Sequence, residues 1–151
     1  MRRLLPFLLL LAAAAPASSL IVEQPQLRTT QGGLKTTAAY FTIRNTGKAA
    51  DVLTGAACAC AATASLHESK VVNGISRMGR AGPLTIAPGG QVALRPGGLH
   101  LMLTGLKRPI KAGETVRITL KFAKAGERET AFTANDTAGA QGMDTMPGMH
   151  H

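Results

Sequence analysis

Residues 115–123, which read Thr-Val-Arg-Ile-Thr-Leu-Lys-Phe-Ala, decide the class of this fold. Val116, Ile118, Leu120 and Phe122 alternate with polar or exposed positions, and a period of two places all four side chains on one face of an extended strand. An amphipathic helix would instead repeat its apolar residues every three or four positions. The stretch therefore predicts a strand with one face in a hydrophobic core.

A second local signal is the dipeptide Asn73-Gly74, which lies between the apolar pair Val71-Val72 and Ile75. Asn-Gly favours a two-residue hairpin loop, because the type I′ turn requires positive φ at both central positions. The sequence therefore predicts a β-hairpin here. Its register would pair Val72 with Ile75, Ser69 with Met78, and His67 with Arg80.

Other short apolar or β-branched segments are separated by Gly, Pro and Asn turns. Pro25 in the first of them suits an edge strand or a bulge. Eight to ten short strands at this spacing, with no helical period beyond two turns, predict an all-β antiparallel sandwich or barrel. The remaining predicted strands are 20–28, 36–44, 51–57, 63–69, 83–86, 91–94, 100–103 and 128–133.

Composition narrows the possible functions. The chain has 151 residues with 17 Gly, 8 Pro and no Trp, which excludes a coiled coil. Its net charge is +9, but the basic residues are dispersed and aromatic residues are few, so we expect no nucleic-acid partner. No Gly-rich phosphate loop, nucleophile–base pair or carboxylate dyad stands out, so we expect a carrier and not an enzyme.

Residues 1–17 have the three parts of a secretory signal peptide. Arg2 and Arg3 form a basic start, residues 4–15 are apolar apart from Pro6, and Ala15-Pro16-Ala17 resembles a cleavage site. We therefore expect an exported protein that starts at Ser18, lies in the periplasm and has no membrane insertion after cleavage. No Cys follows the apolar run, which argues against a lipid anchor. The mature chain would carry a net charge of +7, a folded domain over 18–134, and the monomeric state.

The composition changes again after residue 134. Residues 135–151 contain no aromatic and no β-branched aliphatic residue, so we expect a flexible tail. Thioethers suit Cu(I) and imidazoles suit Cu(II), and this segment carries both. The tail is a candidate accessory metal site with the residues Met143, Met146, Met149, His150 and His151.

Within the predicted sheet, two histidines and two methionines fall into two pairs. The hairpin register makes His67 and Met78 diagonal neighbours on one face, about 7–8 Å apart at Cα. His100 and Met102 are two residues apart and share a face, while Leu101 and Leu103 point into the core. Thioether sulfur is a soft ligand that suits Cu(I), and imidazole makes binding pH-dependent. Incidental packed or exposed His and Met residues are the alternative interpretation.

The same four residues have the spacing H-x10-M-x21-H-x-M, which resembles the motif of the periplasmic copper chaperone family known as PCu(A)C. The similarity extends over residues 20–133 and includes the flanking segments Leu66-His67-Glu68, Pro88-Gly89-Gly90 and Gly97-Gly98-Leu99-His100-Leu101-Met102-Leu103. The resemblance implies a cupredoxin-like Greek-key β-sandwich that holds one Cu(I) through His67, Met78, His100 and Met102. It also implies transfer of copper by ligand exchange to the copper-accepting subunit of a haem-copper cytochrome oxidase, beside a Sco-type thiol protein.

Cys58 and Cys60 depart from the family pattern. A disulfide between residues i and i+2 is rarely unstrained and would be easily reduced. Three interpretations stay open for the pair: small buried residues, a redox pair, or an additional copper site.

Several other function classes remain in competition. An electron-transfer cupredoxin needs a compact Cys, His and Met cluster, and no Cys lies near His100 in the sequence. A thioredoxin-like enzyme needs C-x-x-C and a βαβ pattern, and both are missing. The remaining alternatives are an Ig-like binding module, and a thiol-disulfide or copper-sequestering protein that uses Cys58, Cys60 and the tail.

Overall fold

The structure is a computed structural model that describes residues 19–138. The predicted signal peptide and the five tail residues Met143, Met146, Met149, His150 and His151 lie outside the described residues. Ten strands follow one another along the chain. They are β1 (Leu20–Arg28), β2 (Thr36–Asn45), β3 (Asp51–Ala57), β4 (Ala61–Val72), β5 (Ile75–Arg80), β6 (Leu84–Ile86), β7 (Gln91–Leu94), β8 (Leu99–Leu106), β9 (Thr115–Phe122) and β10 (Gly126–Asn135).

The strands form one sheet in the order β5-β4-β8-β2-β1-β10-β9-β3-β6, with β7 paired to the second half of β2. The predicted all-β cupredoxin-like fold is confirmed. Pairing is antiparallel throughout this order except between β1 and β10, which run parallel. The expectation of antiparallel strands alone was therefore wrong at this one contact. A parallel pair needs a long connection, and here the first and last strands of the domain meet. Among residues 19–138 no helix is long and apolar enough to cross a membrane.

Strand β9 shows the predicted alternation. Val116, Ile118, Leu120 and Phe122 are buried, and each such side chain contributes about 1.5–3 kcal/mol to folding through its removal from water. Phe132 of β10 packs in the same core, where its ring meets the Phe41 ring edge to face at 5.4 Å between centroids.

Two predicted local features are confirmed by the backbone. Asn73 and Gly74 have φ values of 51° and 76°, as the type I′ turn requires. The hairpin of β4 and β5 has the predicted register, with Ser69 opposite Met78 and His67 opposite Arg80. In β1 the register with β2 shifts between Glu23 and Gln26, so Pro25 lies in a bulge.

Asp51 at the start of β3 is a buried carboxylate that accepts three backbone hydrogen bonds. Val52 N and Lys124 N donate to Oδ1, and Ala125 N donates to Oδ2. Burial alone would raise the pKa of Asp51, but the three donors and the Lys124 charge outweigh it and lower the pKa below 3.8. The ionised carboxylate therefore holds the turn between β9 and β10 against β3.

We expect Asp51→Asn to lower the free energy of unfolding by about 1–3 kcal/mol at pH 7, because an amide cannot accept at both atoms. Since the folded pKa is depressed, the carboxylate stabilises the protein above its unfolded pKa, and this stability is lost as pH falls through the folded pKa. Urea unfolding between pH 7 and pH 2.5 should show a weaker acid dependence in the variant. Glu127→Gln, at an exposed carboxylate, is the control. Equal stability of Asp51→Asn and the parent at pH 7 would contradict the assignment.

Candidate metal centre

The four predicted ligands lie on one face of the three neighbouring strands β5, β4 and β8. His67 of β4 pairs directly with His100 of β8. Met78 of β5 lies opposite Ser69, two residues further along β4. Met102 of β8 lies opposite Ser65, two residues in the other direction. Strand pairing therefore brings the four residues together from three strands.

Burial of the alternate residues on β8 fixes which way this face points. Leu101 and Leu103 are fully buried in the core, as predicted. Because side chains alternate along a strand, His100 and Met102 must project from the opposite face. His100 is nevertheless only 5% exposed, so this imidazole is shielded from solvent as well.

The hydrogen bond at Nδ1 of His100 leaves a lone pair on the other ring nitrogen, Nε2. Nδ1 lies 3.0 Å from the carbonyl oxygen of Gly98, and a carbonyl can only accept, so Nδ1 carries the hydrogen. In the neutral imidazole Nε2 is then an acceptor, and it lies 3.2 Å from Sδ of Met78. Two lone-pair atoms facing each other at this distance require a proton or a metal ion between them.

His67 is the second imidazole of the cluster. Its ring stacks near that of His100, with centroids 6.0 Å apart and planes 27° apart. Nε2 lies 2.9 Å from the hydroxyl oxygen of Ser65, whereas Nδ1 is buried and has no hydrogen-bond partner. A buried unpaired nitrogen is uncommon and marks a position that an ion or water would satisfy.

The electrostatic surroundings favour the neutral form of His67. Burial lowers the pKa of His67 most, and the neighbouring His100 and Arg80 lower it further. Only a neutral imidazole can bind a metal ion. The low pKa therefore keeps His67 available as a ligand at neutral pH.

Met78 and Met102 differ in their surroundings. Met78 is 58% exposed and contacts the buried His100 from the solvent side. Met102 is half-buried and is placed in the cluster by the strand register. In residues 19–138 no three His, Cys, Asp or Glu side chains cluster as a metal site, so the cluster depends on its thioethers. It suits a soft ion such as Cu(I).

Sequence reasoning missed two supporting groups, the Ser65 hydroxyl and the Gly98 carbonyl. The Gly98 oxygen also accepts from Ser69 N, so the same atom holds both β4 and the His100 ring. Ser65 lies two residues before His67 on β4, and this spacing places both side chains on one face, which the sequence does indicate. The Gly98 carbonyl gives no such signal, because every residue has a carbonyl.

Cys58 and Cys60 lie in the turn between β3 and β4 and form a disulfide. Both are half-buried and pack against the edge of the core. They are not on an extended strand. The pair is also separate from the His67 cluster, as six residues of the chain lie between Cys60 and His67.

The chain matches a family of exported-protein domains. The model of the family described as "Putative lipoprotein LpqE-like" matches residues 20–134. The chain is 36% identical over 105 residues to "Putative lipoprotein Lxx21020" of Leifsonia xyli subsp. xyli (strain CTCB07). That alignment covers 69% of this chain and 63% of the relative, so the chain spans less than two thirds of the relative's length.

Solved structures with a similar fold include a PCuAC domain and a Cu(I)-bound protein. The apo PCuAC domain from PmoF1 has a TM-score of 0.68 and 28% identity, and the match covers 78% of this chain and 94% of that domain. The Cu(I) form of DR1885 from Deinococcus radiodurans has a TM-score of 0.63 and 32% identity, with 85% of each chain covered. The resemblance to PCu(A)C proteins is therefore confirmed at the level of the domain type.

We expect Arg80→Gln to raise the pKa of His67 in the metal-free protein, because it removes a positive charge that opposes protonation. The measurement is an NMR titration of the His67 ring protons. Arg77→Gln is the matched control, since Arg77 lies on the other face of the same strand and should leave His67 unchanged. An unchanged pKa of His67 in Arg80→Gln would contradict this electrostatic account.

Proposed function

The chain belongs to the LpqE-like family, and we propose that it is an exported copper chaperone which binds one Cu(I) through His67, Met78, His100 and Met102. The observation that carries this proposal is the contact between His100 Nε2 and Met78 Sδ. Gly98 holds the proton of His100 on Nδ1, so a neutral nitrogen and a neutral sulfur present lone pairs to the same point. A soft monovalent cation satisfies both atoms.

The different solvent exposure of Met78 and His100 indicates how copper would leave the site. Met78 is the ligand open to solvent, on the edge strand β5, whereas His100 is buried behind it. An incoming ligand of an acceptor would therefore displace Met78 first and the histidines later. Val71, Val72 and Ile75 near the tip of the same hairpin are exposed apolar side chains, which suits contact with an acceptor at this edge.

The chemistry of the acceptor and the location follow from the family resemblance. We propose that copper passes in the periplasm to the copper-accepting subunit of a haem-copper oxidase, with a Sco-type thiol protein as a second partner. The protein acts as a carrier in this scheme and not as an enzyme. The basic charge of the chain would speed its association with an acidic face of such a partner.

The tail has the length needed to serve the same site. Asn135 of β10 pairs with Arg28 of β1. The preceding residue of β1, Leu27, pairs with Ala39 of β2. Ala38, next to Ala39, pairs with Met102 of β8. Three interstrand spacings therefore separate Asn135 from Met102, or about 14 Å. Residues 136–138 form a turn, and the five further positions to Met143 could span about 17 Å if extended. We include copper recruitment by Met143, Met146, Met149, His150 and His151 in the proposal, with His150 and His151 able to take Cu(II).

The proposal predicts the result of an anaerobic Cu(I) titration against a chromophoric chelator. The variant His100→Ala/Met102→Ala should lose more than about 100-fold in Cu(I) affinity, since even supporting residues of metal sites contribute 10–100-fold. Met78→Ala should weaken binding and speed transfer to a competing chelator. Thr104→Ala, exposed on the same strand, is the control for folding. Parent-like affinity in His100→Ala/Met102→Ala would refute the ligand set.

Truncation after residue 138 tests the role of the tail. We expect the truncated chain to keep the Cu(I) equivalent that depends on His100 and Met102, because those ligands belong to the folded domain. It should lose any Cu(II) binding that the intact chain shows in calorimetry. Met143→Ala/Met146→Ala/Met149→Ala, in which both tail histidines remain, separates the two ligand types. Unchanged Cu(II) stoichiometry after truncation would remove the tail from the proposal.

A further inference from the structure

The Cys58–Cys60 disulfide is a feature that the His/Met site does not use. Cys60 lies in the turn before β4, and the strand run from Ala61 to His67 is about 20 Å long. One metal ion cannot bridge that distance. Any chemistry of the cysteine pair therefore belongs to a separate site.

The disulfide is open to approach from a surface groove. Cys58 lines this groove together with Ala57, Ala62, Ser65 and Arg80. The alanine side chains beside the sulfur are short and leave space for a peptide or a thiol. Arg80 is the charged residue of the lining, and a positive charge favours an approaching thiolate.

The turn also holds a donor for a thiolate. The backbone N–H of Cys60 donates to Cys58 Sγ at 3.2 Å. This hydrogen bond stabilises the thiolate form of Cys58 and so favours the release of Cys58 from a mixed disulfide. Both residues are half-buried, so a reduced pair would be partly shielded from solvent and still accessible to a partner at the surface.

We propose that the Cys58–Cys60 disulfide is reversible and that the reduced pair forms a second Cu(I) site, separate from the His/Met cluster. Two neighbouring thiolates are soft ligands that select Cu(I). The oxidised protein would then carry copper at one core site, and the reduced protein at two. Redox conditions would thereby set the copper capacity of the chain.

The reductant in this scheme is a protein or small-molecule dithiol. One of its thiolates attacks Cys58 Sγ, the S–S bond breaks, and Cys60 leaves as a thiolate. The second thiolate of the reductant then attacks the reductant sulfur that is bonded to Cys58, and Cys58 leaves as a thiolate. Two electrons pass to the cysteine pair, and the reductant becomes a disulfide. Cu(I) then binds both sulfurs without a change of oxidation state, and thiol protons go to solvent.

The test compares oxidised and reduced mature protein, residues 18–151, in anaerobic titration with Cu(I) and bicinchoninate. We expect the reduced protein to bind one equivalent more than the oxidised protein. The extra equivalent should disappear in Cys58→Ser and in Cys60→Ser and persist in His100→Ala/Met102→Ala. Because the tail is the same in both redox forms, its contribution cancels in the difference. Equal stoichiometry of the two forms, or an extra equivalent that survives both serine variants, would overturn the proposal.

Two further measurements keep this result separate from misfolding and from the core site. Alkylation of thiols after equilibration in glutathione buffers should show full interconversion of the disulfide and the dithiol, and a disulfide that resists every buffer would also refute reversibility. Circular dichroism melts of both serine variants check the fold. If His100→Ala/Met102→Ala leaves binding by the oxidised protein unchanged, the proposed core site fails, while the reduced-minus-oxidised difference still reports on the cysteines.

Discussion

The burial of Leu101 and Leu103 in the hydrophobic core is the constraint on which the candidate metal centre depends. These two side chains set the face of β8, and β8 lies between β4 and β2 in the sheet. A slip of β8 by one residue would expose both leucines and send His100 and Met102 into the core. Such a slip would cost about 3–6 kcal/mol in lost leucine burial alone. Core packing thus positions the proposed ligands.

A carbonyl also fixes the direction of the imidazole of His100, one of the proposed ligands. The Gly98 oxygen accepts from Ser69 N and from His100 Nδ1. The first bond lies just beyond the paired residues of β4 and β8 and fixes the oxygen, and the second fixes the ring. Such supporting bonds raise the basicity of the free nitrogen and reduce the reorganisation on metal binding. The orientation of the His100 ring is therefore a consequence of strand pairing.

Much of the fold could be predicted because its signals are local. The period of two in β9 and the Asn73-Gly74 turn act within a few residues, and the turn fixed the His67–Arg80 register. The parallel contact of β1 with β10 could not be predicted, because it joins segments about a hundred residues apart through main-chain groups that every residue has. The contact between Met78 and His100 and the state of the cysteines also depend on side-chain packing, which no spacing encodes. The resemblance named the site residues, but it said nothing of Ser65 or Gly98.

The positive charge of Arg80 beside the cluster helps to distinguish a copper-storage protein from a copper carrier. Arg80 lies opposite His67 on the exposed hairpin and lowers the pKa of His67. The same positive charge must disfavour a bound Cu(I) as it disfavours a proton, since both are cations at the same imidazole. A store of copper would gain from a carboxylate at that position, whereas a carrier gains from a charge that limits affinity on its solvent side. In the proposed carrier, Arg80 and the exposed Met78 would both favour release of the ion. The buried His100 would limit its loss to water before an acceptor arrives.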